Sequence, residues 1–349
     1  MGYNILGINT SHNGSVCLLK DRKIDLFLEE ERLSKHKHDT YPIKALKYIS
    51  KNYKINEISL SGLTHHWNPK KYDLYISYLN VLFPEIPIYN LLDYHHLCHV
   101  VSSFYNSKFK KCIGIVVDGN GSCLNSPEGL KAETESIYTL DYLNPPSCIY
   151  KSNKLINNKE PISLTKVYEC ITTSLGFKWN EAGKTMGLSS YGKFNSNIPP
   201  LYLNGKGNPL IIDNLSHSST DGILKEKYRY LTTSKELAKD LSYKVQQESQ
   251  EIVGNLIEKY VKETRLKQVC CSGGYFLNCV ANYYLTKRFP DIKFYFEPIA
   301  SDAGTAIGAA KLLWYQKFQN KTIIPQKSLY YGPKYTKNQL LKGIQKYLG

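Results

Sequence analysis

The sequence predicts an α/β protein of two lobes built on a similar plan. Three observations carry this: a β-meander opens the chain, the pattern of apolar runs restarts at Lys111, and the last third alternates strand, helix, strand, helix with glycine at the strand ends. With 349 residues, 42% of them hydrophobic, the chain has enough apolar material for one large domain or two packed lobes.

Residues 3–33 read as three short strands, broken by turns at His12 to Gly14 and at Asp21 and Arg22. Helical patterns follow over Pro42 to Asn52 and Leu74 to Leu82, then a strand near Ile86 to Tyr89. In DYHHLCHVVSSFY, apolar and small residues suit a helix that carries His95 and His99. After the restart, CIGIVVDGNGS is a buried strand ending in a glycine-rich turn, and SIYTLDYL supplies another strand. Residues 196–233 are polar and rich in turn signals, which marks an excursion from the core. An apolar stripe from Leu237 to Val261 predicts a long helix over Ser234 to Thr264. A strand at QVCCSGG, a helix from about Phe276, a strand at FYFEP and a helix from Ala303 to Trp314 complete the alternation.

Composition narrows the class of protein. Nine cysteines form no CxxC pair and mostly sit in apolar runs, a usage that suits a reducing compartment. The amino-terminal segment lacks the features of a signal peptide, and no apolar run approaches the ~20 residues needed to span a membrane. A cytoplasmic protein without a membrane partner is expected. The net charge of +15 would suit a polyanionic partner, but it is almost all lysine; Arg22, Arg32, Arg229, Arg265 and Arg288 are the only arginines. A nucleic-acid partner is therefore not expected, and a lysine-rich coding bias accounts for the excess equally well.

His95 and His99 stand four residues apart, on one face of a helix, where two imidazoles can share one metal ion. The remaining ligands must come from elsewhere. Asp118 and Asp302 each stand where an apolar strand meets a glycine-rich turn, at the rim of a sheet. Each could equally cap a helix or order a turn. Three glycine-bearing turns could approach a nucleotide: Gly119 and Gly121 in DGNGS, Gly273, Gly274 and Asn278 in CSGGYFLN, and Gly304 in SDAGTAIGAA. Tight turns or helix packing explain any one of them as well.

Seven ordered blocks identify a family: ILGINTSHNGSVCLLKDRKI, EEERLSKHKHDTYP, HHLCHVVSSFY, IVVDGNG, GKTMGLSSYG, CCSGGYFLNCVAN and EPIASDAGTAIGAA. From Tyr3 to about Leu313 the chain resembles the amino-terminal catalytic domain of the O-carbamoyltransferases of the NodU and antibiotic-tailoring type. The resemblance implies the actin, sugar-kinase and heat-shock ATPase-like fold, two ribonuclease-H-like lobes around a central cleft. Residues 1–110 would form the first lobe and 111–325 the second. Matched by motif, it assigns His95, His99, Asp118 and Asp302 as ligands of a divalent metal, Fe(II) first, with Zn, Mn or Mg as alternatives. His96 and the pair His65 and His66 do not match ligand positions, so a surface or packing role is expected for them.

The resemblance further implies carbamoyl transfer from carbamoyl adenylate, an ATP-derived nucleotide, to the hydroxyl of a small-molecule acceptor. His12 or Lys37 would orient or deprotonate that acceptor; Glu31 and Arg32 would pair behind the site. GKTMGLSSYG contains GK followed by Thr but lacks the upstream glycine of a P-loop. The family places this block at the cleft, with Gly183, Lys184 and Gly187 as nucleotide or acceptor contacts. Residues 326–349 resemble the start of a carboxy-terminal YrdC-like domain that is otherwise missing, so the donor would be made by such a domain in cis or trans. The rival readings are a protein that transfers threonylcarbamoyl to tRNA, which shares the fold and the HxxxH, and a non-catalytic ATPase-fold scaffold. The acceptor and the oligomeric state are not legible.

Overall fold

A computed structural model describes residues 2–62, 69–155, 163–207, 234–319 and 322–348. Strands β1 (Asn4–Asn9), β2 (Ser15–Lys20) and β3 (Lys23–Glu29) form the antiparallel meander, and β4 (Glu57–Ser61) and β5 (Ile88–Asn90) join parallel to β1. The sheet order is β3-β2-β1-β4-β5. Apolar residues on both faces of β1 and β2 make the sheet buried on both sides, as the near-continuous apolar runs require.

The second sheet repeats this plan. Its strands are β6 (Lys111–Val117), β7 (Cys123–Ser126), β8 (Gly129–Asp141), β9 (Ser147–Leu155), β12 (Gln268–Ser272) and β13 (Lys293–Phe296). Here β6 takes the place of β1, with β8 and then β9 antiparallel on one side and β12 and then β13 parallel on the other. This doubled order is that of the actin-like ATPase fold. Between the halves of the second lobe, β10 (Tyr202–Leu203) and β11 (Lys206–Gly207) form a small hairpin.

On the outer face of the first sheet, α1 (Glu30–Ser34), α2 (Ile43–Asn52) and α3 (Pro69–Leu82) close a core that includes Leu6, Ile8, Leu46, Ile49 and Leu79. Buried Glu30 accepts from the N–H groups of Lys44 and Ala45 at 2.9 and 3.0 Å, which satisfies orphan donors at the start of α2. After α4 (His95–Asn106), and much later in the chain, comes α9 (Thr305–Phe318), which meets the inner face and packs against α4. The outer face of the second sheet carries α5 (Leu164–Ser174), α6 (Ala182–Ser189), the long α7 (Lys235–Thr264) and α8 (Cys279–Arg288). Ser234 caps α7 by accepting from Leu237 N at 3.0 Å.

The two sheets exchange their inner helices. α4, encoded with the first sheet, packs on β6 of the second, where a Cβ on Gly114 would lie 2.1 Å from Val100 Cγ2. Conversely α9, encoded with the second sheet, packs on the first: a Cβ on Gly7 would meet Ala306 O at 2.0 Å, and Ser59 Oγ donates to Ala309 O at 3.0 Å. The helices cross at Gly308, where a Cβ would stand 1.8 Å from Cys98 O. The boundary at residues 110 and 111 thus separates the sheets but not the packing units.

Three stretches show detail that patterning does not give. The excursion near 196–233 begins inside the core: Ile198, Leu201 and Tyr202 are buried, and the N–H groups of Leu201 and Tyr202 donate to Glu248 on α7 at 2.8 and 3.2 Å. Residues 208–233, like His65 and His66, lie outside the described residues. The 326–349 segment first lies along the body, with Gln326 N donating to Asn106 O at 2.8 Å and Phe27 N to Tyr331 O at 2.9 Å, and then forms the exposed helix α10 (Lys337–Leu348). Strand β9, with its lysines and asparagines, has no apolar alternation by which sequence could mark it.

Candidate metal centre and adjoining cavity

The crossing helices bring four buried side chains to one point. His95 and His99 sit on the first two turns of α4; Asp118 follows β6; Asp302 opens the 3-10 turn (Asp302–Gly304) that leads into α9. One ligand-type atom from each lies within 4.8 Å of all the others. The imidazoles meet edge to face, and their Nε2 atoms are 3.1 Å apart. Asp118 Oδ2 is 3.5 Å from His95 Nε2, and Asp302 Oδ1 is 3.7 Å from both Nε2 atoms.

Each group is held by its outer partners. His99 Nδ1 lies 3.3 Å from Ser272 Oγ, which anchors the outer edge of the ring while Nε2 faces His95 and Asp302. Ser122 Oγ accepts from His95 N at 3.0 Å and fixes the start of α4; His95 Nδ1 has no partner among the described residues. Asp118 Oδ1 accepts from Gly274 N at 3.0 Å. Asp302 Oδ2 accepts from Ser11 Oγ at 2.6 Å and lies 3.3 Å from His12 Nδ1.

The four groups shift one another's charge states. Burial pushes His95 down, but Asp302 and Asp118 outweigh it and hold the imidazole above its usual range. Burial pushes Asp302 up, yet the His12 and His95 charges and the hydrogen bond to His99 bring it to about 2. Asp118 is likewise held well below the usual carboxylate range by His95 and His99, against the effect of burial. Two buried carboxylates and two imidazoles with converging lone pairs are a donor set suited to a divalent ion. The 3.1 Å between the two Nε2 atoms fits two ligands that each bond one ion at about 2.0–2.1 Å.

Beside this centre lies a cavity of about 260 Å³. Gly274 and Thr165 line it, and both bond Asp118: Gly274 N to the carboxylate, Thr165 Oγ1 to the carbonyl at 2.9 Å. Gly119, Gly183, Gly274 and Asn278, expected at a nucleotide, line the cavity. The other candidates do not. Gly121 packs on the His96 ring, where a Cβ would come within 2.6 Å. Gly273 has φ +96° and lies against Val117 O; Gly304 lies against Ile299 O. Gly187 is on α6 outside the lining, and Lys184 donates to Glu181 Oε1 at 2.8 Å on the surface.

Among the candidate bases, His12 is anchored at the centre with its side chain 47% exposed, whereas Lys37 lies on the exposed loop after α1. Arg32 and Glu31 do not form a buried pair: Arg32 is 73% exposed at 3.7 Å, and Glu31 Oε2 instead accepts from His38 N at 3.1 Å. His96 is fully buried and packs on Gly121, with Nδ1 2.7 Å from Ser136 Oγ; burial lowers it to about 4 and keeps it neutral. Sequence reasoning missed Ser11, Ser122, Ser272 and Trp179. None of the serines stands at a recurring spacing from the group it fixes; Trp179 adjoins the GKTMGLSSYG block but carries no pattern of its own.

Comparison with known proteins gives a family and a fold. The family model described as carbamoyltransferase N-terminus matches residues 66–311. An uncharacterised protein of Synechocystis is 25% identical, over 97% of this chain and 63% of its own length. The nodulation protein NolNO of Sinorhizobium fredii is 23% identical, over 92% of this chain and 49% of its own. Among solved structures, a phosphate- and nucleotide-bound full-length HypF superposes with a TM-score of 0.56 at 14% identity, covering 89% of this chain and 46% of that one. HypF of T. kodakarensis gives 0.55 at 12%, covering 90% and 48%, and at such identities the likeness is one of fold. The chain spans less than two thirds of the length of each of these proteins. With 66–311 matched, well over half of its residues, the chain belongs to the carbamoyltransferase N-terminus family.

Proposed function

We propose that this chain moves a carbamoyl group from carbamoyl adenylate to a hydroxyl of a small-molecule acceptor, at a divalent-metal site held by His95, His99, Asp118 and Asp302. The observation that carries the reading is the convergence of these four buried groups at a cavity whose walls bond directly to Asp118. A bound ion, Fe(II) first, would supply Lewis-acid stabilisation of charge on carbonyl and phosphate oxygens.

The chain's own residues do the rest. His12 turns Nδ1 to Asp302, which leaves Nε2 as the acceptor nitrogen of the neutral ring. Nε2 takes the proton of the acceptor hydroxyl as its oxygen bonds to the carbamoyl carbon; the carbon–oxygen bond to the phosphate breaks and AMP leaves with the electron pair. Asp302 stabilises the imidazolium that forms. The geometry favours His12 over Lys37 for this task. Gly119, Gly183 and Asn278 line the space for the nucleotide, and a YrdC-like domain, in cis or trans, provides the donor.

The test is incubation of the iron-loaded chain with carbamoyl adenylate and a panel of hydroxylated metabolites, followed by mass spectrometry for a carbamoyl adduct. Wild type should form one; His95→Ala and His12→Asn should not. Adduct formation by His95→Ala, or tight salt-sensitive tRNA binding with threonylcarbamoyl transfer, would overturn the reading.

A further inference from the structure

Of the GKTMGLSSYG block only Gly183 and Met186 line the cavity, and its lysine points elsewhere. Lys184 and Glu181 instead build a turn. Glu181 Oε1 accepts from Lys184 Nζ at 2.8 Å, Glu181 Oε2 from Lys178 N at 2.9 Å, and Glu181 N donates to Lys178 O at 2.9 Å. Lys184 also sits over the Phe177 ring at 5.5 Å. The residues at the corner of this pinned turn are Trp179 and Asn180.

Trp179 is in two places at once. It lines the cavity beside the metal centre, and its ring meets the His12 ring at 6.3 Å, nearly perpendicular. It is 53% exposed, although a tryptophan gains a great deal by burial. Tyr168, Tyr275 and Leu277 already give the cavity apolar walls, so the indole is not needed to complete them. An indole held half in water between a donor cavity and a base is placed to cover the point where they meet.

We propose that Trp179 is a positioning residue that shields the carbamoyl carbon from water and offers its exposed face to the acceptor, so that it sets the partition between transfer and hydrolysis. This rests on the carbamoyl-transfer reading of the site. In the competing reaction, a water oxygen bonds to the carbamoyl carbon, one of its protons passes to His12, the carbon–oxygen bond to the phosphate breaks, and AMP and carbamic acid are released. Excluding water from that carbon is the service an aromatic face laid across it can give.

The experiment uses the iron-loaded full chain with saturating carbamoyl adenylate and no acceptor, and reads AMP release. Trp179→Ala should release AMP about 10-fold faster than wild type, and Trp179→Phe, which keeps an aromatic face, should stay within about 3-fold. AMP titrations followed by calorimetry separate donor binding from chemistry. A purely structural role would lower the melting temperature of Trp179→Ala and its AMP affinity without raising hydrolysis. AMP release from Trp179→Ala at or below the wild-type rate, with wild type forming the carbamoyl adduct on an acceptor, would overturn the shielding role alone; no adduct from wild type with the acceptor panel would overturn the transfer reading and the shield with it.

Discussion

Gly308→Ala tests whether the helix crossing governs the site. In an exposed helix this change stabilises by about 1 kcal/mol, because glycine is the poorer helix former. Here the new Cβ would stand 1.8 Å from Cys98 O, so α4 and α9 must part by about 1.5 Å to reach the roughly 3.3 Å of an ordinary carbon–oxygen contact. Backbone lies on both sides, so neither can rotate away, and overpacking of this kind costs about 3 kcal/mol. The net expectation is destabilisation by about 2 kcal/mol, opposite in sign to the helix-propensity effect. The same displacement moves His95 and His99 relative to Asp302, against a tolerance of about 0.2 Å for metal–ligand distances, so ion affinity should fall about 10–100-fold. Urea unfolding of the metal-free chain reads the first quantity and competition with a chelating dye the second. Gly343→Ala on exposed α10, where a Cβ meets nothing within 4 Å, is the control and should be neutral or stabilising. A Gly308→Ala chain that unfolds at the same or higher urea concentration, with unchanged ion affinity, would refute the argument.

Ser122→Ala removes the acceptor for His95 N and should cost about 1 kcal/mol in urea unfolding, with weaker metal retention in a dye competition. His96, held at about 4 in the fold against about 6.5 unfolded, binds its proton more readily when unfolded; it should therefore withdraw stability as pH falls from about 6.5 to 4, by up to about 3 kcal/mol. His96→Asn should flatten the curve in that window, as melting temperatures measured across pH will show. Chelation should lower the melting temperature, and adding Fe(II) or Zn(II) at a hundred-fold excess over Kd should restore about 2.7 kcal/mol. The restoration should fade toward pH 5, because the ligating histidines must be neutral; a pH-independent effect would speak against them as ligands.

The fold was legible where periodicity is strong. The meander, the long helix from Ser234 and the closing alternation all stand close to where patterning put them. What the pattern could not say is which sheet a buried helix covers, since an apolar stripe names a face and not its partner; α4 and α9 could not be assigned from their own residues. The four converging positions were visible because HxxxH is a helical spacing, Asp118 directly follows an apolar strand, and an ordered block carried Asp302, which stands not at a strand end but in the 3-10 turn beyond β13. Their supports were not: Ser11 reaches Asp302 across 291 residues, and Ser272 reaches His99 across 173, with nothing local to mark either. Leu201 and Tyr202 were hidden by polar neighbours, although Glu248 draws their backbone into the core.

The exchange of inner helices also dictates an order of events during synthesis. Ser59 bonds Ala309, 250 residues downstream, and Gly7 is covered by Ala306. A ribosome that has completed the first sheet and α4 has made a sheet without its lid and a lid without its sheet. The lid waits for the second sheet and the first sheet waits for α9, so the first lobe cannot fold to completion ahead of the second. The four converging side chains follow the same timetable: His95, His99 and Asp118 wait for Asp302, which arrives immediately ahead of α9.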